Sequence, residues 1–199
     1  MKPHYNFMAA VCLCISVASC NNGSSNKDSV DSAKNINDSV ANTAKDTATT
    51  PQAAAPVDKK DADFAVEAAN GGMAEVAMGQ VAATNAASQR VKDFGAMMVK
   101  DHSDAGDKLK QLAQQKNITL PSALADKEQK MLADLQKKTG KDFDKAYMNM
   151  MLDDHKDDIK EFEKAGKDCK DSDLRNFAAT TLPVLQKHLD SVKAILGKH

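Results

Sequence analysis

Apolar residues return at three- and four-residue intervals along almost all of the chain after position 60, and each such run is closed by a breaker. That period marks helices with one buried face. It predicts five of them, over 61–87, 88–116, 122–138, 142–166 and 171–196. In the first, Phe64, Ala68, Gly71, Glu75, Gly79 and Ala82 share a face made mostly of small residues, which lets a partner helix approach closely. Gly71-Gly72 costs that helix on the order of 1–2 kcal/mol in propensity, and close packing there is expected to offset the loss. Asp61 and Asp63 suit the positive end of its dipole. The second helix has Val91, Phe94, Met98, Ala105, Leu109 and Leu112 on one side, with Ser88 placed as its N-cap. Residues 117–121, ending in Pro121, break it, and Ser122 is placed to cap the short third helix. The fifth carries Leu174, Ala178, Leu182, Leu185, Leu189, Val192 and Leu196, with Pro183 well inside, where the missing backbone donor should kink it.

One stretch occurs twice. Val91 to Leu109 (VKDFGAMMVKDHSDAGDKL) aligns without gaps on Asp144 to Phe162 (DKAYMNMMLDDHKDDIKEF). Met97 falls on Met150, Met98 on Met151, Asp101 on Asp154, His102 on His155 and Asp104 on Asp157. Two related helices, each beside another long helix, suit an all-α four-helix bundle with pseudo-twofold symmetry, the third helix lying in the crossover.

The first 60 residues follow other rules. Lys2 precedes an apolar run over 7–17 that is too short to span a bilayer but right for a signal segment. The run ends in Val17-Ala18-Ser19-Cys20, which resembles the bacterial lipobox. That resemblance implies cleavage before Cys20, lipidation of its sulfur, and a domain held to a membrane of the bacterial envelope, on the periplasmic or outer face; two or three acyl chains anchor stably where one does not. Residues 21–60 are rich in Ser, Asn, Asp, Thr, Ala and Lys and lack aromatics, so they read as a disordered tether with a span of roughly 35 Å. The expected organisation is a signal peptide over 1–19, a lipidated Cys20 with tether over 20–60, and a bundle over 61–199.

Charge narrows the partners. The formal net charge is -1 with both signs interspersed, so there is no basic stripe of the kind a nucleic-acid partner needs. A protein partner or a second copy of the chain remains open. Cys169 is the one cysteine of the helical region; it reads as a spectator near a helix end, the alternative being an intermolecular disulfide.

The candidate chemistry sits on the inner faces. Glu75 falls near the middle of the first helix's small-residue face. His102 and Asp101 flank the apolar face of the second, His155 and Asp154 take the matching places on the fourth, Asp158 lies near the centre of that face, and His188 borders the apolar stripe of the fifth. At 1.5 Å per residue, Glu75, His102 and His155 lie roughly 18–21 Å from their hairpin turns and His188 roughly 28 Å, so all can meet within about two turns of one level. Glu75, His102, His155, His188, Asp101, Asp154 and Asp158 are therefore the candidate metal ligands. Imidazole with carboxylate suits zinc, iron or manganese. A hydrogen-bonded Glu–His network that fixes helix register is the competing use of the same residues. Met73, Met78, Met97, Met98, Met148, Met150 and Met151 lie near the histidines and would suit copper(I), although methionine at helical spacing is usual core filler.

These residues also resemble a known family. Phe64-Ala65-Val66-Glu67-Ala68-Ala69, Gly71-Gly72-Met73-Ala74-Glu75-Val76, Val91-Lys92-Asp93-Phe94 and Met98-Val99-Lys100-Asp101-His102-Ser103 look like the domain-of-unknown-function 4142 family, as do Ile118-Thr119-Leu120-Pro121, Asp154-His155 and Thr181-Leu182-Pro183 through His188-Leu189. The resemblance implies a ferritin-like bundle in an exported bacterial protein. It does not imply the di-iron chemistry of the wider ferritin-like class, which needs Glu-x-x-His on two helices. Val99, Leu152 and Leu185 stand where those glutamates would be. The expectation is a non-catalytic binding or interaction module; the alternatives are a metal-dependent redox enzyme and a purely structural, stress-related bundle.

Overall fold

The structure, a computed structural model, describes residues 28–46 and 57–197. The signal segment, Cys20 and much of the expected tether lie outside the described residues. What is described is all-α, with six helices: α1 (Ser29–Asp46), α2 (Lys59–Asn85), α3 (Gln89–Lys116), α4 (Asp126–Gln136), α5 (Gly140–Asp168) and α6 (Ser172–Leu196). The hairpins α2–α3 and α5–α6 form the bundle, α2 facing α5 and α3 facing α6, while α4 crosses between the hairpins against α2 and α5. Helix α6 runs unbroken through Pro183.

Part of the expected tether folds. Helix α1 docks on α2 through Val30 and Ala33, which pack with Val66 and Ala125. Asn37 exchanges two hydrogen bonds with the backbone of Thr119, and Lys34 pairs with Glu67. Composition counts apolar residues but ignores their phase: a helix laid on a preformed bundle needs only one or two inward positions to dock. Its start also caps α4. Asp28 accepts from the backbone N–H of Asp126, and Ser29 from those of Ser122 and Ala123. Ser122 is therefore not a cap itself, and α4 begins later than the sequence suggests. Ser88 likewise makes no side-chain cap. The carboxylate of Asp144, on α5, accepts from the N–H groups of Ala87 and Ser88 and so holds the chain just before α3.

The small-residue face brings α2 and α3 together at Gly79 and Gly95. A Cβ at Gly95 would lie 2.6 Å from the Ala82 Cβ and 2.9 Å from the Gly79 carbonyl oxygen. Gly71 and Gly72, the expected contact, are not in it: a Cβ on either has only a side-chain atom at 4.0 Å. They border a cleft.

The core has two apolar halves. One holds Met78, Met98, Tyr147, Met148, Met151 and Val192; the other holds Ala65, Leu109, Phe162, Leu174, Phe177 and Leu185. Between them lies a group of buried polar residues with a member from each bundle helix: Glu75 from α2, His102 from α3, His155 from α5 and His188 from α6. Cys169 is buried at the end of α5, its thiol pushed up to about 12 by burial and the charge of Asp61. Such a thiol is poorly suited to disulfide exchange.

Candidate metal centre

His155 and His188 are wholly buried and His102 nearly so. One ring nitrogen of each can be chosen so that all three lie within 4.8 Å of one another. Each histidine is also held from outside. His155 Nδ1 donates to the carbonyl oxygen of Met151 at 3.0 Å, one turn back on α5. His188 Nε2 donates to Asp101 Oδ2 at 3.0 Å, and His102 Nδ1 lies 2.9 Å from Glu75 Oε2. Those acceptors fix the tautomers. With Nδ1–H of His155 and Nε2–H of His188 committed outward, His155 Nε2 and His188 Nδ1 face each other at 3.2 Å as two lone pairs.

That arrangement is one proton short as a hydrogen bond. It is well proportioned for a shared ion, since two nitrogens on a tetrahedral metal with bonds of 2.0–2.1 Å sit about 3.3 Å apart. Histidines whose outer nitrogens are anchored by a carboxylate or a carbonyl are the usual support of a metal site.

Electrostatics keeps the inner nitrogens available. Burial lowers the pKa of His155, and it lowers that of His188 to about 4 against the opposing hydrogen bond to Asp101. Both rings are therefore neutral near pH 7. Burial also works against charge on His102 and on Glu75, but their mutual attraction outweighs it, raising the histidine and lowering the acid. His102 Nε2 is buried without a partner, and so is Glu75 Oε1. The latter lies 3.3 Å from His155 Nδ1 without accepting a hydrogen bond from it, because that N–H is aimed at Met151.

The remaining candidates divide. Asp101 and Glu75 hold histidines. Asp158 forms a second group with Glu75 and His155, also within 4.8 Å, and its carboxyl is raised well above the usual range by burial and by Glu75. Asp154 is in neither group. Met78, Met98, Met148 and Met151 belong to the apolar core. Two participants had no sequence signal: the Met151 carbonyl, which any residue would supply, and Tyr147, a buried hydroxyl without a partner whose pKa is raised by burial and by Glu75. A cleft of about 620 Å³ opens beside the centre, with Gly72, Glu75, His102 and Asp158 among its walls.

Residues 46–195 match the family described as a domain of unknown function (DUF4142). The chain belongs to this family. The family's match takes in every residue of the centre and the four-helix bundle except the last residue of α6, and leaves α1 outside except for its last residue. No curated protein and no solved structure matches the chain. The family description carries no activity.

Asp154 supplies a pH test. Burial, with help from the charge of Glu75 and against that of Lys127, raises its pKa from 3.8 to about 7. Between these values the folded chain binds a proton that the unfolded chain does not, so its contribution to stability falls as pH rises from about 4 to 7 and stays low above. Asp154→Asn should therefore gain in unfolding free energy over the parent as pH rises, reaching on the order of 2 kcal/mol at pH 8 and little at pH 4.5, read by denaturant or thermal unfolding. A gap that is flat across that range would contradict the assignment.

Proposed function

We propose that this chain is a membrane-tethered metal-binding module of the bacterial envelope, holding one divalent transition-metal ion on His102, His155 and His188. The supporting observation is the pair of inner nitrogens of His155 and His188 at 3.2 Å, each with its outer nitrogen already committed to an acceptor. His102 completes a three-nitrogen set, and Glu75 Oε1 lies close enough to compensate the ion's charge. Three histidines leave at least one coordination position open. The tether is supported by Val17-Ala18-Ser19-Cys20.

Zinc is the best fit to three imidazoles in this setting, with iron, manganese and copper as the other candidates. Ion uptake requires His102 to release its proton, so binding should weaken as pH falls. The test is metal content of the purified chain by mass spectrometry, followed by titration with each ion. One equivalent bound supports the reading. No uptake of zinc, iron, manganese or copper overturns it and leaves the histidines as a packing network.

A ferritin-like redox activity is the second reading, and one observation favours it: Glu75, His155 and Asp158 form a second possible ligand group. It would require two ions per chain. We place it second because His155 Nδ1 is already spent on Met151.

A further inference from the structure

Helix α1 starts ahead of the family's match and carries the two exposed large apolar side chains among the described residues, Ile36 and Val40. One turn apart, they share a face. It is not the docking face, which belongs to Val30, Ala33 and Asn37. The charged groups are turned elsewhere. Lys34 pairs with Glu67 and Asp38 with Lys59, both on α2, and Asp31 falls well round the helix from Ile36. Hydroxyls flank the two aliphatic side chains: Ser39 Oγ donates to the carbonyl oxygen of Asn35 and Thr43 Oγ1 to that of Ser39, each at 2.9 Å. A hydroxyl bonded back onto its own helix loses little when water leaves it. The outer face of α1 up to Thr43 is thus an uncharged stripe with two aliphatic side chains in water.

Chain length says what lies within its reach. Cys20, the lipidated residue of the reading above, stands eight positions before Asp28, whose carboxylate accepts from the N–H of Val30 at the start of α1. Eight steps of chain span at most about 29 Å, whereas an undocked chain from Cys20 to Lys60 could span about 140 Å. The bundle is longer than this leash, since α2 with its 27 residues runs about 40 Å. So short a leash keeps the side of the bundle that carries α1 toward the lipid.

We propose that the outer stripe of α1 is a membrane-contact surface, with Ile36 and Val40 set into the interface of the bilayer that holds the anchor. The proposal rests on the lipid anchor at Cys20 and is independent of the ion. With no charge in the stripe, the contact is apolar and needs no anionic lipid.

Fluorescent labels test it on the full lipidated chain in phosphatidylcholine vesicles. The thiol introduced by Ser39→Cys can be labelled selectively, because Cys20 carries the lipid, Cys12 and Cys14 precede the cleavage point, and Cys169 is buried. Nitroxide-bearing lipids should quench that label strongly. They should leave dark to quenching a label introduced by Lys187→Cys on α6, which packs on α3 and α5 rather than on α2. Ile36→Asp leaves the docking face intact and should lose most of the quenching at position 39, whereas Ile36→Leu should keep it. At about 1 M salt, where charge attraction is screened within a few ångströms, the quenching should persist. Equal quenching of the two labels, quenching unchanged in Ile36→Asp, or a requirement for anionic lipid overturns the proposal. So does self-quenching between position-39 labels of two copies, which would give the stripe to a second chain. An unmodified Cys20, read by mass spectrometry, overturns both this proposal and the membrane tether, whereas a lipidated chain whose position-39 label stays in water overturns this proposal alone.

Discussion

His155→Gln is expected to remove metal binding, and Asp101→Asn and Glu75→Gln to weaken it in a graded way. His155 sits between the other elements of the centre: its Nε2 faces His188, its Nδ1 is fixed by Met151, and Glu75 Oε1 lies beside it. A glutamine supplies no imidazole nitrogen and leaves the ion two histidines. Asp101 and Glu75 act one step out, on His188 and His102, and the loss of such an anchor typically costs 10–100-fold in affinity. The order should be His155→Gln beyond that range, and the two carboxylate variants within it. Calorimetric titration with zinc reads all three. Thermal melting gives a second readout: an ion present at about 1,000 times its dissociation constant stabilises the parent by about 4 kcal/mol, and should do nothing for His155→Gln. A pure hydrogen-bond network predicts a different pattern. All three substitutions would then lower the metal-free stability, by about 1–3 kcal/mol for each buried group left without a partner, and zinc would shift the melting point of none of them.

Gly95→Val should be the most damaging single change in the bundle away from the centre. Even a Cβ at Gly95 falls 2.6 Å from the Ala82 Cβ and 2.9 Å from the Gly79 carbonyl oxygen. Backbone cannot swing aside as a side chain can, so α2 and α3 must move apart. We expect a loss of about 3 kcal/mol, near the upper end for overpacking, which is roughly 10 °C in melting temperature for a domain of this size. Gly106→Ala on the same helix has an open Cβ position and should instead gain up to about 1 kcal/mol. The pair of variants separates steric contact from helix propensity, which favours alanine at both positions. The effect reaches the centre as well. Glu75 lies on α2 and His102 on α3 at 2.9 Å, so spreading these helices should also reduce zinc affinity in Gly95→Val.

Much of this was written in the local pattern. Helical period, the repeated Asp-His stretch and the depth of the polar residues, within about two turns of one level, identified the long helices, their hairpin pairing and the four side chains that meet between the two apolar halves. These features are legible because they depend on spacing along one helix at a time. The errors fall where a partner comes from far away in the chain. Ser88 and Ser122 have the composition of local caps, but the chain before α3 is held by Asp144 of α5 and the chain before α4 by Asp28 and Ser29. Gly71-Gly72 has the composition of a helix crossing, yet the crossing lies two turns further along at Gly79, where α3 offers another glycine.

The sequence by itself determined that this chain forms an all-α bundle, that it carries Glu75, His102, His155 and His188 on or beside inner faces within about two turns of one level, and that it lacks the Glu-x-x-His pairs of a di-iron site. Those properties follow from helical periodicity and residue type, which the chain states directly. Tertiary structure alone decided which ring nitrogen of each histidine faces inward, that Asp101 and Glu75 hold histidines, and that Asp154 stands apart. It also decided that residues 29–46 fold onto α2, and that a cleft opens beside the histidines. Each of these depends on an acceptor, a contact or a gap supplied by a different helix. A hydrogen bond selects its tautomer only when donor and acceptor are brought within about 3 Å, and no spacing along a single helix encodes that meeting.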